Sequence, residues 1–115
     1  MSAAIDSAVS ALGAFGEKMN VTANNIANVN TEGFKKSRAL LQEADHGVTV
    51  DISRVNTPGA PIPADDGTGR MNESSNVDVA EEIVNLKTTD NAFQANLKTI
   101  QTEGEMLGSL FDIFA

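Results

Sequence analysis

Residues 23–35 read Ala-Asn-Asn-Ile-Ala-Asn-Val-Asn-Thr-Glu-Gly-Phe-Lys, and the rest of the chain is organised around them. Four asparagines, Asn24, Asn25, Asn28 and Asn30, precede a turn built on Thr31, Gly33 and Phe34. Asn24 and Asn28 are four apart, so they share one helix face, beside the apolar Ile26 and Val29. An asparagine amide donates and accepts at once, which suits it to backbone groups or to a neighbouring helix. Capping a helix would need only one or two of these residues. Asn28, Asn30 and Thr31 are poor helix-interior residues, and Gly33 can adopt the left-handed conformation that stops a helix. The stretch therefore predicts the end of one long element and the turn into the next.

Upstream, Ile5, Leu12, Met19 and Ile26 fall seven apart, and Ala8, Phe15, Thr22 and Val29 form a second series offset by three. This is an a/d heptad pattern and predicts a helix over about 2–30, roughly 40 Å long at 1.5 Å per residue. Gly13 and Gly16 each lower its intrinsic stability by about 1 kcal/mol relative to Ala. It must gain its order from packing along the seam.

Downstream, the C-terminal piece carries a stronger stripe. Val79, Leu86, Phe93, Ile100, Leu107 and Phe114 form one heptad series; Ile83, Asp90, Leu97, Gly104 and Phe111 form the other. No proline interrupts them, and the predicted helix over about 77–114 is roughly 55 Å long. Ser75 or Asn76 can cap its start, with Asp78, Glu81 and Glu82 where negative charge suits the helix dipole. Asp90 reads as a register device or as a solvated edge of the stripe, Gly104 as a bend or a close approach.

Between the helices, Val48, Val50 and Ile52 alternate with Thr49, Asp51 and Ser53, the period of a half-buried strand. All three prolines, Pro58, Pro61 and Pro63, fall in the stretch 56–70, which reads as loop with a tight turn at Asp66-Gly67 closing a small hairpin into Arg70 and Met71. The middle reads as a small β-rich hairpin or a flexible bridge. One domain is expected, in three pieces: 1–33, 34–75 and 76–115.

Composition removes several classes of function. With 16 acidic and 8 basic residues the 115-residue chain has a formal net charge of -8, a poor match for nucleic acid phosphates. Residues 1–57 hold six acids and five bases, residues 58–115 ten acids and three bases. There is no cysteine, so no disulfide framework and no thiol or Cys-based zinc chemistry. His46 is the only histidine, which leaves no two-histidine metal site and no convincing catalytic triad. Asp65-Asp66-Gly67-Thr68-Gly69 lacks the alternating acids and closing Glu of a calcium loop, and turn chemistry explains it better. Lys35, Lys36 and Arg38 form the only basic cluster, placed to complement a helix C-terminus and to be solvated. No apolar run approaches a membrane span. Asp6 stands where a secretory leader would carry Lys or Arg, so no cleaved signal peptide is expected. Neither an enzyme, a cofactor site, a metal site nor a small-molecule ligand is predicted.

The pattern AxNNIANxNTxGFK after a seam-bearing helix resembles the signature of the bacterial flagellar axial proteins, the rod, hook and hook-associated subunits. The C-terminal half is similar too: Ser75-Asn76-Val77-Asp78, then Glu81-Glu82-Ile83-Val84-Asn85-Leu86, then Phe93, Ala95, Asn96, Lys98, Ile100, Thr102, Met106 and Leu107 in order. The short chain and small middle look like a proximal rod subunit, whereas the compact Asn30–Phe34 turn looks more like the distal rod and hook type.

The resemblance implies a mainly α fold: two long terminal helices forming an antiparallel coiled-coil pair, with a short β-hairpin or loop middle facing outward. It implies a structural subunit of the basal-body rod that self-assembles through both helices into a helical axial tube. The implied partners are copies of itself, other rod and hook subunits and the flagellar type III export apparatus, and the implied place is the exported, periplasm-spanning rod. Assembly contacts are expected of Leu12, Phe15, Met19, Asn24, Asn25, Ile26, Asn28, Asn30, Gly33, Phe34, Ile83, Leu86, Phe93, Leu97, Ile100, Leu107, Phe111 and Phe114. By length alone, about 15 Å of the longer helix is left unmatched, so Phe111, Ile113 and Phe114 are expected to bury against another subunit. A soluble helical-hairpin oligomer acting as an adaptor or chaperone is the competing expectation.

Overall fold

Asp78 sets where the second long helix begins. Its side chain accepts from the backbone N–H groups of Ala80 (3.0 Å) and Glu81 (3.3 Å), satisfying donors that the first turn leaves open. The cap is thus Asp78, and not Ser75 or Asn76; Ser75 Oγ accepts from Val77 N instead, at 3.1 Å. In this computed structural model, which describes residues 3–115, the elements in chain order are α1 (Ala3–Ala27), β1 (Ser37–Ala44), β2 (Gly47–Arg54), β3 (Pro61–Pro63), β4 (Met71–Glu73) and α2 (Val79–Phe114). The expected helix start at Ser2 lies outside the described residues.

α1 ends where the asparagines begin to compete for its carbonyls. Asn28 Nδ2 donates to the Asn24 carbonyl at 2.9 Å, Thr31 Oγ1 donates to Asn28 Oδ1 at 3.1 Å, and Gly33 turns the chain with φ +68°. β1 and β2 form an antiparallel hairpin in the register Ser37↔Arg54 to Ala44↔Gly47, closed by Asp45 and His46. β3 and β4 form a second, three-rung hairpin, Pro61↔Glu73 to Pro63↔Met71. The Asp66-Gly67 turn closes it as the sequence predicts: Asp66 Oδ1 accepts from the Thr68 hydroxyl (2.6 Å) and the Thr68 N–H (3.1 Å). Those two bonds hold the Asp66 carboxyl below the usual aspartate range.

α2 starts beside the end of α1 and runs back along it, giving the expected antiparallel pair in an elongated molecule of 80 × 24 × 16 Å. The β1–β2 hairpin is not a free bridge. It packs against α1 but not α2, so α1 is the middle layer. Two side chains fasten it there. Asn25 Nδ2 donates to Ser37 O (2.8 Å) while Asn25 Oδ1 accepts from Ser37 N (3.0 Å). At the other end Ser10 Oγ donates to Val48 O (2.8 Å) and accepts from Val48 N (2.9 Å). A Cβ at Gly47 would collide with that Ser10 side chain, and its φ of +153° further favours glycine.

Burial along the two helices falls only partly on the seams that the heptads predict. On α1, which is covered by both α2 and the hairpin, the buried residues are Ala8, Ala11, Ala14, Thr22 and Asn25, and Leu12, Phe15, Met19 and Ile26 are half-buried. On α2 the buried residues are Glu82 and Thr89, seven apart, flanked by half-buried Leu86, Phe93, Asn96 and Ile100. Ile83 and Leu97 are 55% and 46% exposed, so the second heptad series lies at the open edge of the helix pair. α1 must serve two neighbours and divides its apolar residues between them. Small residues at the contact let the helices approach closely. Thr89 Oγ1 donates to Asn85 O and Asn96 Nδ2 to Ala92 O, which satisfies them within their own helix. Asp90 Oδ2 accepts from Gln94 Nε2 on its own helix, and a Cβ at Gly104 would meet nothing, so no close approach occurs there.

Candidate assembly surface

Two regions concentrate the residues of interest: a polar neck where the helices meet the strands, and the outer face of α2.

The neck is knotted around Asn76. Its Oδ1 accepts from Lys36 N at 2.7 Å; its Nδ2 donates to Val55 O at 2.8 Å and Thr57 O at 3.0 Å. One side chain thereby joins the segment after α1, the segment after β2 and the lead into α2. Around it, Gly33 N donates to Glu73 O at 2.8 Å and Asn76 N to Phe34 O at 3.3 Å. Gly59 lies so close to Ser74 that any Cβ would collide with the Ser74 carbonyl. Lys35 and Lys36, read from sequence as solvated, are instead ties. Lys35 Nζ reaches Glu73 Oε2 (2.6 Å) and Thr57 O (3.1 Å), and Lys36 Nζ reaches Glu81 Oε2 (3.0 Å). The Lys35 ammonium, by its hydrogen bond and then its charge, holds the Glu73 carboxyl below the usual glutamate range.

Here the asparagine row separates. Asn25 is 1% exposed and both ends of its amide bond Ser37, so this side chain fastens the hairpin and presents no surface of its own. Asn24 and Asn28 form the helix cap; Asn24, Asn30 and Gly33 are exposed, and Asn28 and Phe34 are half-buried.

The outer face of α2 is the opposite in character. Every residue after Glu103 is exposed. Leu107 is 43%, Phe111 72%, Ile113 76% and Phe114 86% exposed, with Met106 and Leu110 between them. This is the overhang expected from the unequal helix lengths: 36 residues in α2 against 25 in α1. Closer to the neck the same helix exposes Val79, Ile83, Val84 and Leu97. Clusters of large exposed apolar side chains on one element mark an interaction surface. Met106, Leu110 and Val84 add to the residues singled out from the heptads; they fall off the heptad positions, and their exposure marks them. Asn76 and Ser10 are also new as structural anchors. Asn76 sits inside the Asn-Val-Asp motif, which marks its place but not its partners.

Among the described residues no cluster of His, Cys, Asp and Glu could hold a metal ion, and no helix is long and apolar enough to cross a membrane. His46 is exposed in the β1–β2 turn.

Comparison with known proteins bears on both regions. The family model for the flagella basal body rod protein matches residues 5–35, α1 and its turn. The model for the flagellar basal body rod FlgEFG protein C-terminal matches residues 68–113, from before β4 through α2. The chain is similar to the flagellar basal-body rod protein FlgG of Borreliella burgdorferi, 43% identical over 53 residues, covering 43% of this chain and 20% of that one. A FlgG of Buchnera aphidicola is 44% identical over 59 residues, covering 45% of this chain and 23% of its own. The chain thus spans only a fifth to a quarter of the length of these FlgG relatives. The flagellar basal-body rod protein FlgC of Salmonella typhimurium is 29% identical over 122 residues, covering 89% of each chain. Both ends of the molecule match in the order the fold requires, with only the hairpin region between them unmatched: the chain belongs to the bacterial flagellar basal-body rod family.

Proposed function

We propose that this chain is a structural subunit of the bacterial flagellar basal-body rod, polymerising through its terminal helices into a helical axial tube. One observation carries the reading: α2 presents a run of large apolar side chains, ending in Phe111, Ile113 and Phe114, that the chain itself leaves in solvent. A long helix with such a stripe gains order and solubility only when other helices cover it. The fully buried positions of the two helices are alanines and polar residues, so much of the larger apolar surface stays available for that purpose. Leu12, Phe15, Met19, Ile26, Leu86, Phe93 and Ile100 serve the pairing within the chain and, at their exposed margins, the neighbours. Ile83, Leu97, Leu107, Phe111 and Phe114 serve the neighbours alone.

The partners are other copies and other rod and hook subunits, and the place is the rod that spans the periplasm. The chain reaches it through the flagellar export apparatus. The work is structural; no catalytic step belongs to it.

Electron microscopy and light scattering on the purified protein across a concentration series test the reading. Tubes or fibres that appear with rising concentration support it. A closed dimer, unchanged in mass at all concentrations, contradicts it and favours a helical-hairpin adaptor.

A further inference from the structure

Apolar exposure on α2 falls in two places far apart along the helix. Near its start, Ile83 and Leu86 with Met19 of α1 wall a groove between the two helices, rimmed by Lys87 and Asp90. At the other end stands the bare overhang of residues 104–114. Resting on the assembly reading above, we propose that the overhang of one copy seats in the Met19–Ile83–Leu86 groove of a second copy.

Shape favours this pairing. The overhang is a single helix whose apolar side chains project from several sides, and a groove between two helices is the surface that takes such a helix. Charge favours it as well. Lys87 and Lys98 are the only cations on α2, and Lys87 stands at the groove; the overhang carries Glu105 and Asp112 and no cation. Phe111 entering beside Ile83 and Leu86 brings Asp112 toward Lys87, so the attraction fixes which end meets which.

Topology gives the third argument. Knob and groove are different patches, so each contact leaves one knob and one groove open, and the array extends without closing. A self-complementary pairing of two overhangs would stop at a dimer. Ile83 and Phe111 are separated by about 42 Å along α2 at 1.5 Å per residue, so parallel copies joined this way step by about that distance.

The absence of cysteine makes the test clean. Ile83→Cys and Phe111→Cys are prepared separately and oxidised alone and mixed, and the double variant is oxidised alone. Disulfide dimers only in the mixture, and a ladder of linked chains from the double variant, are expected. Phe111→Cys linking to itself and never to Ile83→Cys, in samples whose scattering still shows assembly, overturns the seat but not the assembly reading. No assembly in the parent protein at any concentration removes both. Because a cysteine can disturb packing, a charge pair provides a second reading: Lys87→Glu raises the concentration needed for assembly about tenfold, and adding Asp112→Lys restores it. Lack of restoration counts against the seat.

Discussion

The neck and the far end of α2 solve opposite problems with the same chain. In the neck, Asn76, Asn25, Lys35 and Lys36 bind segments distant in sequence through short, specific hydrogen bonds. At the end of α2, Phe111, Ile113 and Phe114 are left mostly in solvent. The neck holds the chain's own segments together; the far end leaves its apolar side chains to solvent. Between them lies a helix pair whose buried apolar side chains are alanines, enough to align two helices but too thin to bury the larger stripe.

Substitutions at the two regions should therefore separate fold from assembly. Gly59→Ala is expected to do most damage, because its Cβ enters the Ser74 carbonyl; overpacking at such a point costs about 3 kcal/mol, read as a fall in the thermal midpoint of the dilute protein. Asn25→Ala leaves the Ser37 N–H and carbonyl without their partner at a buried position, costing about 2 kcal/mol in denaturant unfolding. Asn24→Ala, exposed and peripheral to the cap, should cost about 0.5 kcal/mol or less.

Acid titration gives a smaller effect with a defined sign. The folded-state pKa of Glu73 is lowered, so its tie to Lys35 contributes fully above the ordinary glutamate pKa and is lost as pH falls through the lowered value. Stability should be flat in this respect near neutrality and decline only on the acid side, with Glu73→Gln removing that component; both side chains are partly solvated, so the decline is shallow. Least affected should be variants of the stripe. Phe111→Ser with Phe114→Ser, and separately Leu97→Asp, should shift monomer stability by about 0.5 kcal/mol at most while the former abolishes assembly in light scattering.

That contrast also explains what the sequence made legible. Both helices, the stop at Gly33, the turn at Asp66-Gly67 and the strand Val48–Ile52 were readable because each is local, fixed by periodicity or by a residue with one conformational use. β1 was not, because Ser37–Ala44 carries adjacent leucines and no alternation; it is a strand because β2 and Asn25 pair with it. The heptads located the helices but not how deeply each seam position is covered. Heptad arithmetic assumes one partner per helix, whereas α1 faces two, and the apolar series of α2 containing Ile83 and Leu97 stays largely exposed at the edge of the pair. The Asn76 knot joins residues up to 40 apart, which no local pattern encodes. The overhang was legible because it needs only two helix lengths.

Hydrogen exchange along the chain, measured on dilute and on concentrated protein, tests the division between neck and stripe most directly. The amides of Gly33, Lys36 and Ser37 should be protected at both concentrations, while those of residues 104–114 exchange fast when dilute and slow strongly as assemblies form. Protection of 104–114 in the dilute monomer, or a neck that becomes protected only on concentration, would contradict the account.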